Sequence, residues 1–86
     1  MYSIVYSKRA KADIAKLIAA GLDKITKNLI DLLRVNPYQS PPTFEKLKGD
    51  FNGALSRRIN IQHRLVYQVL EDDKTVKIII MWTHYE

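Results

Sequence analysis

Two arginines carry the first chemical signal in this chain. Arg58 and Arg64 stand on either side of Asn60-Ile61-Gln62, and both flanking runs alternate apolar and polar residues with a period of two. If those three residues form a hairpin loop, Ile59 pairs with His63 and Arg58 lies opposite Arg64. Both guanidinium groups then leave the same face of the sheet. Like charges directly opposed on a sheet repel unless an anion lies between them, and a phosphate would accept bidentate hydrogen bonds from both. The plainer alternative is that each arginine meets an acid or water. Glu45 is the second candidate, set between Phe44 and Lys46 with Lys48 close behind. A carboxylate among cations stays ionised and can take up a proton as a general base; an ordinary surface glutamate is the plainer alternative. His84 is the third, placed directly after an apolar run at the end of the chain. An unperturbed imidazole titrates at roughly 6.5, so it can donate or accept a proton near neutrality, although terminal residues more often fray and do nothing. His63 reads as a structural residue of the hairpin.

An acid, a base and two arginines fit the transesterification of RNA. The base takes the proton of the ribose 2′-OH, the arginines stabilise the crowded phosphorane, and the acid protonates the departing 5′ oxygen. DNA lacks that nucleophile. Two histidines and no cysteine do not build a closed transition-metal site without several carboxylates, so no metal or other cofactor is expected. There is no glycine-rich phosphate loop.

The elements that must hold these residues can be read in order. Tyr2 to Tyr6 is β-branched and aromatic, a strand signal. Ser7 is a natural N-cap for a helix whose apolar stripe is Ala10, Ile14, Leu17 and Ile18, with Lys8, Arg9, Lys11, Asp13 and Lys16 outside it; Gly21 ends it. Asp23 then caps a second helix with Ile25, Leu29, Leu32 and Leu33 on its apolar face, stopped by Asn36 and Pro37. Three prolines between Pro37 and Thr43 argue against helix there. Phe44 to Leu47 reads as a short edge strand. From Ala54, Leu55, Arg57 and Ile59 share one face and Ser56, Arg58 and Asn60 the other. His63 to Leu70 is a longer strand, and Thr75 to Trp82, with its run IIIMW, suggests a strand buried on both faces. The expected fold is α+β: two N-terminal helices packed on one face of a mostly antiparallel sheet of four to five strands. The other face stays partly open and holds the candidate site.

Size and charge bound the rest. Eighty-six residues allow one domain, here 1–86, with a single core. The hydrophobic share of 47% excludes a wholly disordered chain. No apolar run approaches the roughly 20 residues that cross a bilayer as a helix, and the N-terminal charges follow the apolar patch instead of preceding it, unlike a secretory signal. Cysteine is lacking, which suits a reducing compartment, and a cytoplasmic location with no membrane partner is expected. A net charge of +5 attracts polyanions such as RNA, DNA or an acidic protein.

Glu45-Lys46-Leu47-Lys48, Gly53-Ala54-Leu55-Ser56-Arg57-Arg58-Ile59, His63-Arg64-Leu65-Val66-Tyr67 and His84-Tyr85 together resemble the YoeB/Txe toxins, in the RelE/ParE superfamily of bacterial type II toxin–antitoxin modules. The resemblance covers essentially the whole chain. It implies a RelE-like, microbial-ribonuclease-like fold and metal-independent cleavage of mRNA in the ribosomal A site. It also implies roles: Glu45 as general base, His84 as general acid, Arg64 as the arginine on the scissile phosphate, Arg58 and Lys48 as supporting phosphate contacts, and Tyr85 as a positioning residue. Leu55 stands where the family often has tryptophan, and Glu86 follows the usual His-Tyr ending. The implied partners are a YefM-like antitoxin, the 70S ribosome with its mRNA, and a second toxin copy in a homodimer, with promoter DNA met only through the antitoxin complex. The competing expectation is a non-catalytic toxin of the ParE branch that poisons DNA gyrase. A third is a degraded module that binds only its antitoxin and DNA.

Overall fold

The computed structural model describes residues 1–82. Strand β1 (Ser3–Tyr6) leads into two helices, α1 (Lys8–Ala19) and α2 (Asp23–Val35). Strands β2 (Phe44–Lys46), β3 (Leu55–Arg58), β4 (Arg64–Leu70) and β5 (Thr75–Ile80) follow, with single 3₁₀ turns at Gly49–Phe51 and Glu71–Asp73. The sheet order is β1-β5-β4-β3-β2, with β1 parallel to β5 and every other pairing antiparallel. The expected architecture of two helices against a mostly antiparallel sheet is what forms, with five strands.

Ser7 explains how α1 is seated on the sheet. Its hydroxyl accepts from the Ala10 amide at 3.0 Å, the N-cap bond expected from sequence, and donates to the Ile79 carbonyl at 2.6 Å. One side chain therefore starts the helix and ties it to β5. Gly21, at φ +72°, closes α1 in the left-handed conformation that glycine adopts without steric cost. The second cap differs from expectation. Leu22 occupies the N-cap of α2 without a side-chain bond, and Asp23 is the first helical residue. The turn is too tight for Asp23 to stay outside the helix: Gly21 N–H bonds the Ile18 carbonyl and Leu22 N–H that of Leu17. The Asp23 carboxylate still lies in the first turn, where the helix dipole favours negative charge.

Both apolar stripes are rotated from their expected positions. Asp13, expected outside the stripe of α1, is 2% exposed, while Ile14 and Ile18 face outward at 40% and 58%. The reason is a hydrogen-bonding demand at the end of β5: Asp13 Oδ2 accepts from the Met81 and Trp82 amides at 3.1 and 3.2 Å. Those amides have run past the last ladder pair, and a buried donor without an acceptor is costly. In α2 the buried residues are Thr26, Ile30 and Leu33; Leu29 and Leu32 are partly covered and Ile25 is exposed.

The main core lies between the helices and one sheet face. Ala10, Leu17, Ile30 and Leu33 meet Leu55, Leu65, Tyr67, Val76 and Ile78 there. Burying a leucine or isoleucine side chain in this way contributes roughly 1.5–3 kcal/mol. The opposite face carries a smaller apolar cluster of Ala54, Val66 and Ile80, flanked by Leu47 and Ile79. A register shift at Val66/Tyr67 pairs Val66 with Ile80 while Tyr67 pairs with Ile78. That bulge lets the run IIIMW feed both clusters, so β5 is interior and apolar on both sides, while β4 is the middle strand.

Candidate functional site

The site is assembled on the face away from the helices, at one end of β2, β3 and β4. Ladder pairing sets it: Glu45 pairs with Ser56, Ser56 with Val66, and Arg58 with Arg64. Directly paired antiparallel residues share a face, and so do residues two apart, which brings Glu45, Arg58 and Arg64 together. The hairpin register read from sequence is the one observed, with the Ile59 amide on the His63 carbonyl at 2.8 Å. Asn60 closes the loop, its Oδ1 accepting from the Gln62 and His63 amides.

Arg64 Nη2 approaches Glu45 Oε1 at 3.4 Å, and Arg64 Nη1 lies 3.4 Å from Ser56 Oγ. The arginine side chain is 10% exposed and the glutamate 54%, so the cation is anchored and the carboxylate reaches into solvent. Glu45 thus offsets part of the repulsion between the paired arginines, a task that the sequence leaves to either a phosphate or an acid. Arg58 is exposed. With one carboxylate against two guanidinium groups, the site keeps a net positive charge suited to an anion. A cleft of about 300 Å³ opens here, lined by Pro42, Thr43, Glu45, Arg58 and Arg64. A second cleft, of about 380 Å³, is lined by Glu45, Lys46, Leu47, Lys48 and Phe51. Lys48 therefore lies beside Glu45 but outside the arginine cleft. His84 and Tyr85 fall outside the described residues. His63 is buried and stacks on Trp82 with ring centroids 3.8 Å apart, the structural place expected of it; the stack joins the start of β4 to the end of β5.

Arg57 has no role that its sequence neighbours announce, and it organises the wall of the site. Fully buried, it donates from Nε to the Tyr67 hydroxyl at 2.9 Å, from Nη1 to the Pro42 carbonyl at 2.7 Å and from Nη2 to the Pro37 carbonyl at 3.0 Å. Its guanidinium lies 4.8 Å from the centre of the Phe44 ring. Tyr67 in turn donates to the Pro37 carbonyl at 2.8 Å, which requires the neutral phenol. Burial pushes that phenol up, against the opposing pull of Arg57. The two ends of the proline-rich connection are thereby stapled to β3 and β4, and Glu45 follows directly. The clue in the sequence is an arginine in register with Leu55 and Ile59, an inward position that a solvated cation would not take.

The family model for the YoeB-like toxin of bacterial type II toxin-antitoxin systems matches residues 5–85. This chain belongs to that family. Among curated YoeB relatives, toxin YoeB of Streptomyces coelicolor is 38% identical over 53 residues, which are 62% of this chain and 62% of that protein. The chain thus spans somewhat under two thirds of that YoeB relative's length. Among solved structures, a YoeB/ParE toxin from Agrobacterium tumefaciens superposes with a TM-score of 0.85 at 28% identity, covering 96% of this chain and 99% of that one. The YoeB-YefM heterotetrameric toxin-antitoxin complex from Staphylococcus aureus contains a chain that superposes with a TM-score of 0.80 at 33% identity, covering 99% of both chains. The YoeB-like fold is therefore shared over nearly the full length described, including the strands that bear Glu45, Arg58 and Arg64.

Proposed function

We propose that this YoeB-like toxin is a ribosome-dependent mRNA endonuclease that works without a metal. The observation that carries the reading is the Glu45–Arg64 pair at 3.4 Å in a cleft completed by Arg58. A base and a phosphate ligand are already adjacent there. Glu45 takes the proton from the ribose 2′-OH, and the 2′ oxygen attacks the neighbouring phosphorus. Arg64, assisted by Arg58, stabilises the charge that builds on the phosphorane. His84 gives its proton to the departing 5′ oxygen, leaving a 2′,3′-cyclic phosphate and a 5′-OH. Lys48 contacts a neighbouring phosphate and Tyr85 helps to place the substrate. Such acid–base groups contribute roughly 10²–10⁴-fold each, and the ribosome adds rate by fixing the mRNA in a reactive geometry.

The same reading gives the toxin an acidic, YefM-like antitoxin that folds over the basic face and blocks the cleft. The YoeB-YefM complex from Staphylococcus aureus supports it. Its substrate would place the toxin in the cytoplasm. The deciding experiment is cleavage of a defined mRNA with and without 70S ribosomes, read by primer extension. Cuts at A-site codons are expected with ribosomes and are expected to disappear in Glu45→Ala and His84→Gln, with antitoxin binding retained. Intact mRNA together with trapped gyrase–DNA complexes would overturn the proposal in favour of a ParE-like toxin.

A further inference from the structure

We propose that Phe51, with Lys48, forms a stacking subsite for the base of a nucleotide next to the scissile phosphate. Phe51 ends the 3₁₀ turn after β2 and keeps 40% of its surface exposed. An exposed aromatic on a loose loop would carry little meaning, but this turn is braced. The Leu47 amide donates to the Ala54 carbonyl at 2.9 Å, the Asn52 amide to that of Gly49 at 3.0 Å, and the Ala54 amide to that of Phe51 at 2.9 Å. Gly49 and Gly53, at φ +71° and +91°, make the two reversals that this path requires. The ring is therefore presented from a fixed backbone.

Glu45 lines both the arginine cleft and the cleft that holds Phe51, so the two clefts share it as a wall. A single strand with one phosphate against Arg58 and Arg64 runs past Glu45 into the second cleft. Lys48 can meet its next phosphate there, and the Phe51 ring its base. Cations tracking a backbone beside an aromatic face are the usual equipment for single-stranded nucleic acid, and the stacking is sequence-tolerant because every base has a π face. An apolar side chain of a protein partner is the competing occupant. Lys48 in the same cleft as the ring, and Glu45 shared with the arginine cleft, favour the polyanion. The proposal rests on the nuclease reading only for which phosphate is the scissile one.

The test compares Phe51→Leu, which keeps an apolar side chain but removes the π face, with Phe51→Trp. Two measurements run in parallel: mRNA cleavage on 70S ribosomes, and binding of fluorescein-labelled oligoadenylate and oligouridylate to protein silenced by Glu45→Gln. Phe51→Leu is expected to raise KM and the RNA Kd about tenfold, within the range that stacking on an aromatic contributes per base. It should leave kcat within about twofold and the melting temperature unchanged, and Phe51→Trp should restore wild-type values. Unaltered RNA binding by Phe51→Leu overturns the subsite, and so does a loss confined to pull-down of co-expressed antitoxin. Weakened RNA binding in a protein that cuts no mRNA leaves the subsite standing while the nuclease reading falls. Normal cutting that is indifferent to Phe51 overturns the subsite and leaves the nuclease reading standing.

Discussion

Glu45 and Arg64 are useful to each other before any substrate arrives. The carboxylate neutralises part of a guanidinium that is nearly enclosed, and the guanidinium fixes a carboxylate that is otherwise half in water. Arg64→Lys keeps the charge but loses the planar fork that spans Glu45 and a phosphate together. Its single-turnover cleavage rate is expected to fall by about 10²-fold or more, the loss typical of a removed oxyanion donor, with little change in melting temperature. Asp13 makes the complementary case, since its two hydrogen bonds serve the fold and not the cleft. Asp13→Ala leaves the Met81 and Trp82 amides without their acceptor and is expected to cost about 2–4 kcal/mol in urea unfolding. Asp13→Asn retains a carbonyl oxygen and should lose less than half of that.

At the scale of elements, the proline-rich connection between α2 and β2 is held at two points. Arg57 holds it inside, and the lysine in Arg57→Lys cannot reach Pro37, Pro42 and Tyr67 at once. A destabilisation of about 1–3 kcal/mol is expected for it. A larger one is expected for Arg57→Met, which leaves the Pro42 carbonyl without that donor; chemical denaturation distinguishes the two. The outer hold is a cluster at the β4–β5 turn, where the Tyr38 and Tyr2 hydroxyls donate to Glu71 at 2.7 and 3.0 Å. Burial, reinforced by Glu71, pushes the Tyr38 phenol up to about 12. Its contribution is complete below the ordinary phenol value of 10.0 and is lost as the pH climbs through about 12. Glu71 moves the other way, lowered from 4.5 chiefly by the bonds from Tyr38 and then Tyr2. Its contribution is present above 4.5 and is lost as the pH falls through the lowered value. Tyr38→Phe should therefore melt below wild type by a gap that is widest from about pH 5 to 9 and shrinks on both sides. A gap unchanged from neutral pH into the acid range would mean that Glu71 plays no part in it.

For the whole molecule, the net charge of +5 bears on RNA through the few cations that the fold sets around Glu45, namely Arg58, Arg64 and Lys48. Arg58 and Arg64 are proposed to hold one phosphate between them, and Lys48 the next. On a single strand each neutralised phosphate steepens the dependence of log K on log salt by roughly 0.7. Binding of a short RNA is then expected to follow a slope of about −1.4, relaxing to about −0.7 in Lys48→Ala. A slope that does not change on removing Lys48 would take that residue out of the phosphate path.

Local order already determined much of this protein. The alternation after Ala54 specified both strands and the Arg58–Arg64 pairing, because a period of two allows only one choice of face once the loop is set. Ser7 and Gly21 marked the ends of α1 because capping depends on near neighbours. The motif resemblance carried the family. What the sequence left undecided were matters of long-range satisfaction. Asp13 turned inward because amides some 68 residues away lacked acceptors, and that rotated the stripe of α1. Arg57 became a buried staple because two proline carbonyls and a phenol converged on it across the tertiary fold. Phe51 likewise reads, in the sequence, as one apolar residue in a loop. Only the braced turn and the two clefts sharing Glu45 gave it a place beside the site. Such choices depend on which distant polar groups remain unsatisfied once the core has closed, and no periodicity along the chain records that.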